Sequence, residues 1–281
     1  MTISSHPAAL LGIGDNVVDF YLDRNEFFPG GNALNVAVLA KQFGLTDTGY
    51  IGIIGNDAEG NHVLNCLAEE KVWSGRVRQA YGENGKAIVH LDDKGDRVFL
   101  RSNKGGIQKR LGLRLEEADL EAVERFGHVH SSLFSNLEHE LPKIRDRAKS
   151  VSFDFSWRHE MDYVKSIAPF ITTAFFSGSA LDDAGIDDLI ETVAGLGVST
   201  IGVTRGSDGA FWMANGKRYR QGIKPTTVID TLGAGDSFIA GYISSVLMGN
   251  SVEEALDQAA TFAAKTCTIF GAFGHPYKVA G

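Results

Sequence analysis

The chain has 281 residues, 43% hydrophobic and 22% charged, with 33 glycines and only 2 cysteines, Cys66 and Cys267; that length buries a core without covalent staples, so a disulfide scaffold is excluded and both thiols read as reduced, as in a cytoplasmic protein. With 27 basic and 35 acidic side chains the net charge is −8, which argues against nucleic acid or an anionic membrane as partner. No apolar run approaches the ~18 residues of a membrane span, and the apolar segment 8–13 lacks the basic flank of a signal peptide.

In chain order, 8–13 predicts a first strand, and 17–22 a second that continues it or pairs with it. After Gly30 and Gly31, residues 32–43 read as a helix that Gly44 stops. A buried strand over 50–54 and a helix over 59–70 follow. Residues 72–101 then alternate, with turn signals at 83–85 and 92–95, and predict a small antiparallel sheet outside the main layer. From residue 116 the strand–helix rhythm resumes, with strands over 129–131, 151–155, 173–176 and 200–204. Asn215-Gly216 marks a hairpin between 210–213 and 218–221. Residues 236–248 carry one apolar stripe of helical period, and Ser251 with Glu254 forms a capping box for a last helix. The whole is an α/β chain with a mostly parallel sheet flanked by helices and a small β insertion; no repeat or linker divides it.

The stretch 228–241 carries the most chemical information. Gly233, Ala234 and Gly235 stand just before a helix, where small residues let main-chain N–H groups converge and the helix adds its unsatisfied amides and positive dipole end. Such a cradle suits an anion, and a carboxylate at its mouth, Asp236, repels a resting phosphate. It makes sense beside a phosphoryl group in transfer, where it orients an attacking hydroxyl and accepts its proton. The plain alternative is an aspartate that caps the helix. A dinucleotide fingerprint is excluded because Phe238 stands where its third glycine belongs, and no Walker motif exists. Nearer the start, Gly30 and Gly31 permit close approach of a ligand to the backbone. Asn32 and Asn35 offer neutral amides suited to sugar hydroxyls, with Asp15 and Asp19 close by. Read alone, the two amides are also consistent with an ordinary helix surface. Thr204, Gly206 and Gly209 form a turn after a strand. His128 and His130 share one face of a strand and read as strand histidines without a catalytic role.

These motifs resemble the PfkB, ribokinase-like family of sugar kinases over nearly the whole chain: the stretch 230–238 is similar to its C-terminal signature, 30–37 to its N-terminal one, and 55–60 to its G-x-D-x-x-G segment. The resemblance implies a ribokinase-like α/β fold and an ATP-dependent kinase. Asp236 would be the catalytic base and Gly233, Ala234 and Gly235 the anion hole. The sugar would meet Asp19, with Asp15 a weaker candidate, and Gly30, Gly31, Asn32 and Asn35. Thr204, Gly206 and Gly209 match the family's nucleotide loop. Where the family carries N-x-x-E near Mg²⁺, this chain has Ser179 and Asp182, which implies Ser179 on the nucleotide side and Asp182 toward the metal; Asp230 is implied as support for a monovalent cation such as K⁺. Asp154 and Arg158 stand in a stretch similar to the family's D-x-N-x-R. Within the family the chain looks most like the branch that phosphorylates O6 of Amadori compounds, fructose carrying an amino acid on carbon 1; a fructokinase or ribokinase acting on a plain sugar is the rival, and a non-catalytic sensor a more distant one. The β insertion at 72–101, with part of 20–30, is expected to act as a lid, and a homodimer joined through lids would cover its open face.

Overall fold

A computed structural model describes residues 8–91 and 97–279. The main sheet contains β1 (Ala9–Ile13), β4 (Asp47–Ile51), β9 (His128–Ser132), β10 (Ser150–Asp154), β11 (Thr173–Ser177), β12 (Thr200–Thr204), β13 (Ala210–Ala214) and β14 (Lys217–Gln221). The remaining strands are β2 (Val17–Tyr21), β3 (Glu26–Gly30), β5 (Ile53–Ile54), β6 (Arg78–Gln79), β7 (Lys86–Leu91), β8 (Arg97–Ser102) and β15 (Tyr277–Lys278). The helices are α1 (Asn32–Phe43), α2 (Ala58–Glu69), α3 (Gly106–Leu111), α4 (Glu117–Phe126), α5 (Leu141–Arg147), α6 (Met161–Ile167), α7 (Asp183–Gly195), α8 (Ala234–Leu247) and α9 (Val252–Thr266).

The strand order is β14-β13-β12-β11-β10-β9-β1-β4. Every pair from β4 to β12 is parallel, and β13 and β14 close the edge as an antiparallel hairpin. Its turn is the expected Asn215-Gly216, both residues at positive φ. Parallel strands covered on both faces carry continuous apolar runs, and β1 is buried throughout. Leu10 faces one core with α1, α8 and α9. Ala9, Leu11 and Ile13 face another, built with α4, α5 and α7.

The second sheet has the order β15-β3-β2-β7-β8. Here the structure departs from the expectation for residues 17–22: β2 neither extends β1 nor pairs with it, but joins β3 antiparallel and β7 parallel. The cause is the turn at Gly14 (φ +138), whose amide bonds to Ile51 O at 3.0 Å while its carbonyl accepts the Tyr50 hydroxyl at 2.6 Å. The hairpin of β7 and β8 forms as expected; the turn assigned to 92–95 lies outside the described residues. The turn signal at 83–85 lies between β6 and β7, which do not pair with each other; those residues bond instead to the loop after β5, to α3 and to β2. The single strand expected over 50–54 is interrupted at Gly52, and Ile53–Ile54 pairs separately with β6.

Candidate active site

The carboxyl ends of β1, β9 and β10 and the first turns of α1 and α8 meet at one place, where side chains from distant parts of the chain bond to one another. α8 starts without any side-chain cap; its cap residue is Gly233 at φ +74. A Cβ at Gly233 would lie 2.4 Å from the Ala272 Cβ, whereas one at Gly235 would meet nothing within 4 Å. The first-turn amides of an α-helix lack intrahelical acceptors; here Ala234 N donates to Thr231 O at 3.2 Å, and the next residue, Gly235, borders open space. Asp236 does not cap this helix. Its Oδ1 accepts from Asn32 Nδ2 at 2.8 Å and its Oδ2 from Asn35 Nδ2 at 2.6 Å, both amides projecting from the first turn of α1.

Asn32 ties in a second carboxylate. The same Nδ2 donates to Asp154 Oδ2 at 2.9 Å, so its two hydrogens serve two acids. Burial, and then the nearby Asp236, push the Asp154 carboxyl up to about 7. Beyond Asn32 lies a row of polar side chains on one face of β9 and β10. His130 Nε2 is 2.9 Å from Asn32 Oδ1, His130 Nδ1 is 2.8 Å from Ser152 Oγ, His128 Nε2 is 3.0 Å from the same oxygen, and His128 Nδ1 is 2.7 Å from Ser150 Oγ. Both rings are buried, which holds His130 down at about 3 and His128 at about 4.

The start of α1 is shaped by Asp15. Gly31, at φ +103, caps the helix without a side chain, and Asp15 replaces the cap by accepting from Asn32 N at 2.6 Å and Ala33 N at 3.3 Å. Ser132 and Ser135 hydroxyls each add a bond to Asp15 Oδ1 at 2.8 Å. Four donors from within the chain thus meet it, and in this arrangement it orders the start of α1. Asp19, on β2, is also buried, and Gly30, diagonally across on β3, makes room for it: a Cβ there would stand 2.5 Å from Asp19 Oδ2.

The loop after β12 winds into a short 3-10 turn over Gly206–Asp208, with Gly206 at φ +54 facing open space and Gly209 at φ +85 packed so closely that a Cβ would meet Gln221 O at 2.1 Å. Arg205 is engaged by Asp183 and Asp208. Ser179 is exposed on the neighbouring loop, and Asp182 caps α7 by accepting from Gly185 N at 2.8 Å. Asp230 is 2% exposed, and its carboxylate takes three donors: Tyr21 OH at 2.5 Å, Leu232 N at 2.9 Å and Gly271 N at 3.1 Å. It clamps the loop before α8 to the second sheet. Among the described residues no group of three or more His, Cys, Asp or Glu side chains stands where it could hold a metal ion.

The structure therefore brings together Asp236, Asn32, Asn35, Asp15 and the cradle, as the motifs suggested. It sets Asp154, from the stretch similar to D-x-N-x-R, directly beside Asn32, and adds the serines 132 and 135 behind Asp15. Strand alternation puts His128 and His130 on one face of β9; the pairing that brings His130 to Asn32 is long-range and has no local signature.

A doubly covered parallel sheet, a second sheet beside it and an uncapped late helix with an acid in its first turn make up a ribokinase-like α/β fold. The family model described as "pfkB family carbohydrate kinase" matches residues 11–274. The fructosamine kinase FrlD of Bacillus subtilis is 49% identical over 268 residues, covering 95% of this chain and 94% of that protein. The fructoselysine 6-kinase of Shigella flexneri is 33% identical over 264 residues, covering 94% and 99%. Among solved structures, Arabidopsis thaliana ribokinase complexed with ribose and ATP superposes with a TM-score of 0.81 at 22% identity, over 96% of this chain and 95% of that one. The chain belongs to the pfkB family of carbohydrate kinases, and it is an ATP-dependent sugar kinase.

Proposed function

We propose that this enzyme transfers the γ-phosphoryl group of ATP to the O6 hydroxyl of a fructosamine, a fructose bearing an amino acid on carbon 1. The observation that carries the mechanism is Asp236: an acid fixed by two amides, next to helix amides that open onto free space. In that place it accepts the O6 proton as the O6–phosphorus bond forms and the bond from phosphorus to the leaving ADP oxygen breaks. The amides of Gly235 and Asp236 meet the charge on the phosphoryl oxygens. Asn32, Asn35, Asp19 and the Gly30–Gly31 backbone form the sugar side, with Asp15 ordering them from behind. Thr204, Gly206 and Gly209 supply backbone to the nucleotide, and Ser179 a hydroxyl. A Mg²⁺ bound with ATP would offset the charge on its phosphates, with Asp182, at the start of α7, the carboxylate that would stand toward it.

The fructosamine rests on the 49% identity to a fructosamine kinase across nearly both chains. The second sheet serves as a lid that excludes water. Its edge strand β8 exposes Phe99 and Leu100, which suits a homodimer joined through the lids. Two free thiols fit a cytoplasmic setting. ADP release measured with fructosyl-amino acids, fructose and ribose tests the substrate. Turnover is expected with the glycated amino acids; turnover confined to plain sugars would overturn the fructosamine and leave the kinase standing.

A further inference from the structure

His130 is buried at 0% exposure, touches neither the cradle nor the nucleotide loop, and plays no part in the mechanism above. Its surroundings are nonetheless ordered by that mechanism. Asn32 places its Nδ2 against two acids, Asp154 and Asp236; a flipped amide would turn Oδ1 toward the ionised Asp236, the base, and is excluded by repulsion there. Oδ1 therefore points the other way, at His130 Nε2, and needs a hydrogen from it. With Nε2 protonated and the ring neutral, Nδ1 is an acceptor and takes the Ser152 hydroxyl hydrogen. Ser152 Oγ in turn accepts from His128 Nε2, and His128 Nδ1 accepts from the half-buried Ser150 hydroxyl. Each donor assignment follows from the one before it, starting at the two acids.

We propose that His130 is a positioning residue for phosphoryl transfer, which holds the Asn32 amide by an Nε2–H donor so that its two hydrogens stay on Asp154 and Asp236. The inference rests on the reading of Asp236 as the base. The row is no route for the transferred proton, because an amide stands between Asp236 and the imidazole and does not pass protons on. It also keeps the base away from positive charge: burial leaves His130 neutral across the working range. Removing the donor would leave Asn32 Oδ1, in a residue only 6% exposed, without its partner, and the amide would turn to find another.

The test compares His130→Met, of similar bulk without the donor, with His130→Gln, whose Nε2 reaches the place of the imidazole Nε2. In ADP-release kinetics, His130→Met is expected to lose roughly tenfold or more in kcat, with KM for ATP unchanged, and His130→Gln to recover most of it. A folded His130→Met with wild-type kcat, or a His130→Gln no better than it, overturns the proposal. Should His130→Met fail to fold, the wild-type protein decides: ¹⁵N-histidine NMR should show His130 as the neutral Nε2–H tautomer down to pH 5, and the Nδ1–H tautomer or a protonated ring there contradicts the assignment. The NMR readout needs no turnover, so a chain that phosphorylates no sugar would defeat the kinase mechanism while the histidine assignment is judged separately.

Discussion

Asn35 and Asp236, 201 positions apart in sequence, meet at 2.6 Å between amide nitrogen and carboxylate oxygen. The contact joins the first turn of α1 to the first turn of α8, and thereby the sugar side of the site to the phosphoryl side. Asn35→Ala removes a donor that orients the base, and Asn35→Asp sets a second acid against it. Steady-state kinetics should show kcat falling roughly tenfold for the alanine and further for the aspartate, with KM for ATP nearly constant in both.

The two glycines of the cradle should separate fold from function. Gly233→Ala forces a Cβ to within 2.4 Å of Ala272 at φ +74, and urea unfolding should show a loss of about 2 kcal/mol or more. Gly235→Ala meets open space and should leave stability unchanged or raise it by ~0.5 kcal/mol, while its methyl intrudes where the phosphoryl group is expected and raises KM for ATP.

Acid should weaken the protein through the buried histidines. Burial lowers His130 to about 3 and His128 to about 4, against about 6.5 in an unfolded chain. Below that value the unfolded state binds protons that the folded state refuses, so the histidine contribution is complete above pH 6.5 and is lost as pH falls toward 4. Urea midpoints measured from pH 7 to pH 4 should drop, and His128→Gln should flatten the slope.

Asp154 has the opposite sign. Its carboxyl is pushed up to about 7 by burial and by Asp236, above an unfolded value of about 3.9. The folded state holds the extra proton between these values, so this group's stabilisation is present at low pH and is lost as pH rises through 7. Asp154→Asn should therefore raise the melting temperature relative to wild type at pH 8 and give no such gain at pH 4. A gain equal at both pH values would contradict the assignment.

Where local rules govern, the sequence was readable. Helix α1 and its stop at Gly44, the Asn215-Gly216 hairpin and the Ser251–Glu254 capping box each form as their neighbours require. The sheet that holds β2 is not legible in its sequence, because its alternation is the same in either sheet and only its pairing with β3 and β7 decides. Asp15, Asp182 and Asp230 show a different limit. A carboxylate announces an acceptor, but its residue type does not tell which of the chain's own amides and hydroxyls it meets in the fold. Asp236 was legible because glycines and a helix start surround it within four residues.

The claim beneath all of this is that one acid, standing at the amide-lined start of α8, removes the proton from the sugar hydroxyl during transfer. Asp236→Asn keeps the shape and the position of that side chain while removing its basicity. Calorimetric ATP binding and single-turnover ADP formation on this variant test the claim most directly. The account predicts ATP affinity within a few-fold of wild type and turnover reduced by roughly 10²-fold or more; near-normal turnover in a variant that binds ATP would contradict it.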